Sequence, residues 1–400
     1  MTLRLTLLSL AMVLFLSGCE PRNQEATLES GAQSSSADAD DLKLDELSRQ
    51  LWQHQTDSFA VVIGEAERLS QRIAELNATP DDEQLQAARQ QWHQTHNQLL
   101  RSSSLISFGA INPGLFQQIK AAMELIDSHP IQPGYLDYFD VYQHSGIVND
   151  IAVPITADAI RKQHGFSDGS DVSLGFHAMA YLLWGEQGSR PASDFLAPQK
   201  LEREQQLNGL KLVDLPNHRR ATLLQLQATL LVDDLKSLHY RLSHQASALN
   251  GAYLSLMPRS RIQLWQQSSL HLLQKILAQP FLLPEDSESL ERADPPHNQF
   301  SGQELEAIRA VIHGMTDLLF AKEPETPSLA QQLVREDTPA LRRDFGKFVA
   351  LLDKMILEQA VLQDNRANLR QTIEALAQRL GGNLALAGQA QPGQHDRSQP

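Results

Sequence analysis

The residues best placed to do chemistry lie in Gly175-Phe176-His177-Ala178-Met179-Ala180-Tyr181-Leu182-Leu183-Trp184-Gly185, one histidine in an apolar run bounded by glycines. On a helix, positions three apart share a face. A carboxylate at position 180 would therefore stand beside the His177 imidazole, and the pair could hold a metal ion or pass a proton. Position 180 is alanine. A catalytic zinc needs about three protein ligands and an open position, and metal-assisted hydrolysis also has to activate a water; His177 supplies one ligand. A single histidine among Phe176, Met179, Leu182 and Trp184 is equally the pattern of a hydrogen-bonded core residue.

Another pair, His93 and His96, lies three positions apart beside Trp92. On a helix both rings could reach one ion, but Gln90, Gln91, Gln94 and Asn97 around them read as a solvated face. The pair lacks the adjacent Glu of H-E-x-x-H. Neither G-x-S-x-G nor a phosphate-binding or dinucleotide-binding glycine loop occurs.

The elements that must position these residues are helices. Apolar residues recur at spacings of three and four in Leu44, Leu47, Leu51, Phe59, Val62, Ile63, Ala66, Leu69 and Ile73. Thr79-Pro80-Asp81-Asp82 ends that helix and opens the next. Further helices are expected near 82–103, 115–126, 157–163, 216–249, 258–277, 301–320, 338–359 and 361–380. Thr156 or Asp158 suits a cap before the helix at 157, and Ser173 a cap before the His177 helix. No alternating β-segment of useful length competes. The fold class is all-α, and its expected division is 42–194 and 195–385, with the polar loop after Gly185 as boundary.

With 400 residues and 42% hydrophobic content the chain can bury a large core. Its 34 basic and 48 acidic residues give a formal charge of -14, and no basic patch interleaved with aromatics occurs, which argues against a nucleic-acid partner. Residues 1–19 carry Arg4, an apolar run from Leu5 to Leu16 too short to span a bilayer comfortably, and Leu16-Ser17-Gly18-Cys19, which looks like a bacterial lipobox. Cys19, the single cysteine, is the expected site of lipid attachment and membrane anchoring. Glu20 in place of Asp favours the outer over the inner membrane. Residues 20–41 read as a flexible tether and 386–400 as a disordered tail.

The glycine-bounded run resembles the signature of the imelysin family, G-x-H-x-x-E followed by an aromatic, two leucines and a glycine. Gly175, His177, Tyr181, Leu182, Leu183 and Gly185 match; Ala180 departs. Trp92 and Phe108-Gly109 resemble the family's Trp-led helix, but Ser102 to Ser104 stand where its Glu is expected. Pro133-Gly134-Tyr135-Leu136-Asp137-Tyr138, Gly146-Ile147-Val148-Asn149-Asp150, Arg219-Arg220 with Leu230-Leu231 and Asp234-Leu235, and Leu305 to Val311 with Gly314 resemble further segments in order.

The resemblance implies two packed antiparallel helical bundles with a cleft between them, an association with iron uptake or sensing, and a peptidase classification. It makes His177 a candidate ligand for a divalent metal or iron. Gly175, Tyr181, Asp137, Arg309, Ser103 and His96 become candidate cleft residues, although Arg309 and Asp137 could equally form a helix salt bridge and a cap. Because two family carboxylates are missing, the expected function is a lipid-anchored periplasmic binding or accessory protein in metal uptake more than an enzyme. A metallopeptidase drawing its carboxylate from another helix, or a structural envelope lipoprotein, are the alternatives. The expected partners are the membrane and an envelope protein or metal ligand.

Overall fold

The computed structural model describes residues 30–283, 290, 293–321, 327–358 and 362–382. The three- and four-residue apolar spacing does produce helices: α1 (Ser30–Ala78), α2 (Asp82–Arg101), α3 (Gln117–Ile126), α4 (Gly175–Trp184), α5 (Pro216–Ser243), α6 (Pro258–Leu277), α7 (Glu304–Leu319), α8 (Thr338–Leu357) and α9 (Leu362–Arg379), with short turns between. Among the described residues no strand forms; Phe139 and Tyr142 make an isolated bridge. The chain is all-α.

Helices α1 to α5 form one bundle and α6 to α9 the other, joined where α1 packs on α6 and α2 on α7. The boundary expected at 194 does not hold, because α5 lies against α1, α3 and α4. The reason is in the loop after Gly185, which turns inward: Arg190, Ala192 and Phe195 are buried. Arg190 and Arg220 of α5 both pair with the fully buried Asp137, at 3.0 and 2.6 Å. Arg190 also reaches Asp194 at 2.8 Å. Arg219 donates to the carbonyls of Ile147, Val148, Asp150 and Val153. Such buried pairs add little net stability, but removing one partner strands a charge at a cost of about 3–5 kcal/mol. The loops at 137–153 and 186–195 are thereby clasped to α5.

Other departures have local causes. The expected tether at 20–41 overlaps α1, which starts at Ser30; no proline lies between Ser30 and Asp41, and Asp41 pairs with Arg259 of α6 at 3.0 Å. The second expected helix stops at Arg101 and continues as the turns Ser103–Ile106 and Phe108–Ile111. Gly109 there lies so close to α3 that a Cβ would sit 2.6 Å from the Lys120 nitrogen. Helix α5 ends at Ser243, and Ser247 caps a separate helix, Ala248–Ser255. Thr156 caps Ala157–Gln163 as expected. Ser173 does not cap α4: Leu174 is the N-cap, and the Ser173 hydroxyl donates to the Ile160 carbonyl. The expected signal sequence with Cys19 and the expected disordered tail lie outside the described residues.

The bundles also meet closely where α7 passes the end of α2. A Cβ on Gly314 of α7 would fall 2.0 Å from the Arg101 carbonyl oxygen at the end of α2, so glycine is what lets the two helices touch.

Candidate metal centre

All ten residues of α4 are buried, as an apolar surface on every side of a helix requires. Two neighbours fix its position. Along α2, Arg89, Trp92, His96 and Leu99 recur at three- and four-residue steps and are buried. The Trp92 indole donates to the Phe176 carbonyl at 3.0 Å and Arg89 to the Leu183 carbonyl at 2.8 Å, so both ends of α4 are tied to one face of α2. At the start of α4, Gly175 has φ 82°, and a Cβ there would meet the Ile126 carbonyl oxygen at 2.4 Å. Only glycine tolerates both this dihedral and this approach. The end of α3 therefore abuts the start of α4, and Asp127 meets His177.

Four side chains converge. His96 Nε2 and His177 Nε2 each lie 3.1 Å from Asp127 Oδ1, His177 Nε2 lies 3.1 Å from His297 Nε2, and His297 Nε2 lies 3.6 Å from Asp127 Oδ2. One donor atom from each falls within 4.8 Å of all the others. The side chains of His96 and His177 are 1% and 2% exposed, whereas that of His297 is 27% exposed. Trp92 and Phe176 pack on the His96 ring, giving the cluster an apolar wall.

The electrostatics suit a cation. Burial lowers the proton affinity of His96 and His297, with the neighbouring Asp127 opposing the shift, so their nitrogens carry free lone pairs near neutrality. Burial pushes Asp127 up, but His96, His297 and His177 outweigh it and hold the carboxyl well below the usual range. These are the protonation states that a metal ion demands of its ligands. Around a tetrahedral ion with bonds of about 2.0–2.1 Å, neighbouring donors stand roughly 3.3–3.4 Å apart. The contacts of 3.1–3.6 Å seen here straddle that spacing. Three imidazole nitrogens and one carboxylate suit a first-row ion such as iron(II), manganese or zinc.

Beside the cluster opens a cavity of about 570 Å³, lined by Asp127, His129 and His297 together with Ser103, Lys275 and Glu304. Burial raises the Glu304 carboxyl. Of the sequence candidates, His177 and His96 are in the cluster, Ser103 lines the cavity, and Gly175 acts through the backbone. The solvated face expected for His93 and His96 is corrected: His96 is buried, and His93 packs edge-on against Trp92 and Trp184. Tyr181 is not at the cavity; it is buried, and its hydroxyl donates to the Tyr138 carbonyl. Asp137 is consumed by the arginine clasp, and Arg309 pairs with Asp353 at 2.8 Å beside a separate depression lined by Arg101 and His313.

Sequence reasoning missed Asp127 and His297. Asp127 follows the last turn of α3 and reads as an ordinary helix stop before Ser128-His129-Pro130. His297 follows Pro295-Pro296 in a loop 120 positions from His177. No local signal sets either apart, because polar residues are ordinary in turns and loops.

The imelysin family's sequence model matches residues 56–386. A search of curated proteins finds no match. Among solved structures, an imelysin-like protein from Psychrobacter arcticum 273-4 superposes with a TM-score of 0.53 at 16% identity, over 85% of this chain and 98% of the other. A protein named an iron-regulated protein A precursor, from Parabacteroides distasonis ATCC 8503, superposes at 0.54 with 13% identity, over 84% and 94%. At these identities the likeness concerns the fold.

Burial also makes metal-free stability depend on pH. Unfolded imidazoles titrate near 6.5, whereas burial takes His93 and His129 down to about 4. Between those values the unfolded chain binds protons that the folded chain does not, so stability is complete above about 6.5 and declines as pH falls toward about 4. The urea midpoint of chelator-treated protein is expected to drop across this window, and a variant carrying both His93→Gln and His129→Gln to drop less. Parallel curves for the two proteins would contradict this.

Proposed function

Because the chain belongs to the imelysin family, with the match spanning residues 56–386, we propose that it binds one first-row divalent ion, iron(II) foremost, as an accessory protein of metal acquisition. The observation that carries this reading is the convergence of His96, His177 and His297 on the Asp127 carboxylate. Support for iron over its neighbours in the series comes from the name of the Parabacteroides distasonis structure. Ala180 does not empty the site, because a carboxylate arrives from the end of α3. An ion held there supplies localised positive charge and, if iron, a one-electron couple. The residues orient it: Asp127 neutralises part of its charge, and the apolar wall of Trp92 and Phe176 limits water on the inner side.

Holding is favoured over hydrolysis by ligand count. A catalytic zinc keeps one position open beside about three protein ligands, whereas four donors fill a tetrahedron. One observation favours peptidase chemistry as a second reading: Glu304 lines the same cavity, and its carboxyl is raised by burial, the direction required of a general base working near neutral pH.

Purified protein lacking residues 1–19 is expected to retain about one equivalent of iron(II) or a surrogate divalent ion per chain by elemental analysis, consistent with a single ligand set. His177→Ala and Asp127→Ala should each abolish this retention while keeping the helical circular dichroism. Retention unchanged in both variants would overturn the reading, and peptide hydrolysis lost in Glu304→Gln would replace it with the second.

We also propose a periplasmic location, with the chain anchored through lipid on Cys19 and facing the outer more than the inner membrane. Leu16-Ser17-Gly18-Cys19 and Glu20 support this. Full-length protein should fractionate with outer membranes, and Cys19→Ala should leave it out of them; a variant that remains membrane-bound would contradict the anchor.

A further inference from the structure

Two positions beyond Asp127 the chain brings another imidazole to the same place. The His129 ring lies 5.1 Å from that of His177 and 5.2 Å from that of His297, centroid to centroid. Its Nε2 is buried and has no hydrogen-bond partner. Leaving a buried polar atom unpaired costs about 1–3 kcal/mol, and native proteins keep few such atoms.

His129 lies outside the set whose donors are all within 4.8 Å of one another, and it lines the cavity with Asp127 and His297. It thus stands on the cavity side of the four donors. We propose that His129 is a fifth ligand, which turns onto the ion from the cavity side when the site fills. This rests on the metal reading above and sharpens it. Five donors exceed the tetrahedral shell usual for structural zinc and suit ions that accept five or six ligands, iron(II) and manganese(II) among them.

Cobalt(II) distinguishes the possibilities, because its visible absorption is weak in five- or six-coordinate sites and intense in tetrahedral ones. Cobalt-loaded protein is expected to show the weaker bands and four imidazoles by X-ray absorption. His129→Ala should keep its cobalt, shift to intense tetrahedral bands and lose one imidazole. His129→Gln, which preserves side-chain bulk if the alanine variant folds poorly, should lose the same imidazole. Tetrahedral bands in the unaltered protein, or an imidazole count unchanged by both variants, would overturn the role of His129 while leaving the four-ligand site standing. Failure of the unaltered protein to bind cobalt, iron(II) or zinc would overturn the metal reading and this inference together.

Discussion

A carboxylate that is nearly closed off from water must be met by hydrogen-bond donors or by a cation, and at Asp127 the protein offers three imidazoles. Much of the first bundle follows from that demand. Burial holds the His96 and His297 imidazoles neutral, so each of these can return at most one hydrogen to the cluster, and the Nε2 atoms of His177 and His297 face each other across 3.1 Å. Hydrogen bonds alone satisfy such a group awkwardly. A single divalent charge at its centre would satisfy every lone pair together, which is why the cluster reads as a binding site and not as ordinary core polarity.

The surrounding scaffold keeps those four groups from relaxing apart. Gly175 allows the start of α4 to touch the end of α3, and Trp92 and Arg89 fasten α4 to the face of α2 that carries His96. The arginine clasp around Asp137 anchors the loops that flank α4 to α5. The second bundle touches α2 through Gly314, and His297 comes from the segment that leads into α7. The four donor side chains thus come from four separate stretches of chain, and the cluster exists only when they are assembled. Asp137, a cleft candidate by resemblance, is structural for the same reason that Asp127 is not: its charge is already matched by two guanidinium groups.

How much of this was legible beforehand depended on whether the information was local. Helix positions were readable because periodicity is a local property, and they failed where tertiary contact intervened: at Arg101, where the chain turns to meet α3, and at the loop after Gly185, whose polar residues turned inward as a clasp. His177 stands out from its apolar neighbours, whereas the glutamines beside His96 suggest a wet face, because the rotation of α2 that buries His96 is set by tertiary packing and not by local sequence. Asp127 and His297 could not be found, since each looks like an ordinary loop residue until the fold brings it to His177. Ala180 marks the same limit: the missing carboxylate on α4 leaves open one drawn from elsewhere in the chain, the alternative the sequence allows, and the structure brings Asp127 from beyond the end of α3 to within 3.1 Å of His177.

Anomalous diffraction from crystals of the protein loaded with iron(II) or zinc tests the central claim most directly. The account predicts one strong peak enclosed by His96, His177, His297 and Asp127, about 2.0–2.2 Å from their donor atoms. A loaded crystal with no peak there, or with its peak elsewhere and this cluster joined only by hydrogen bonds and water, would contradict it.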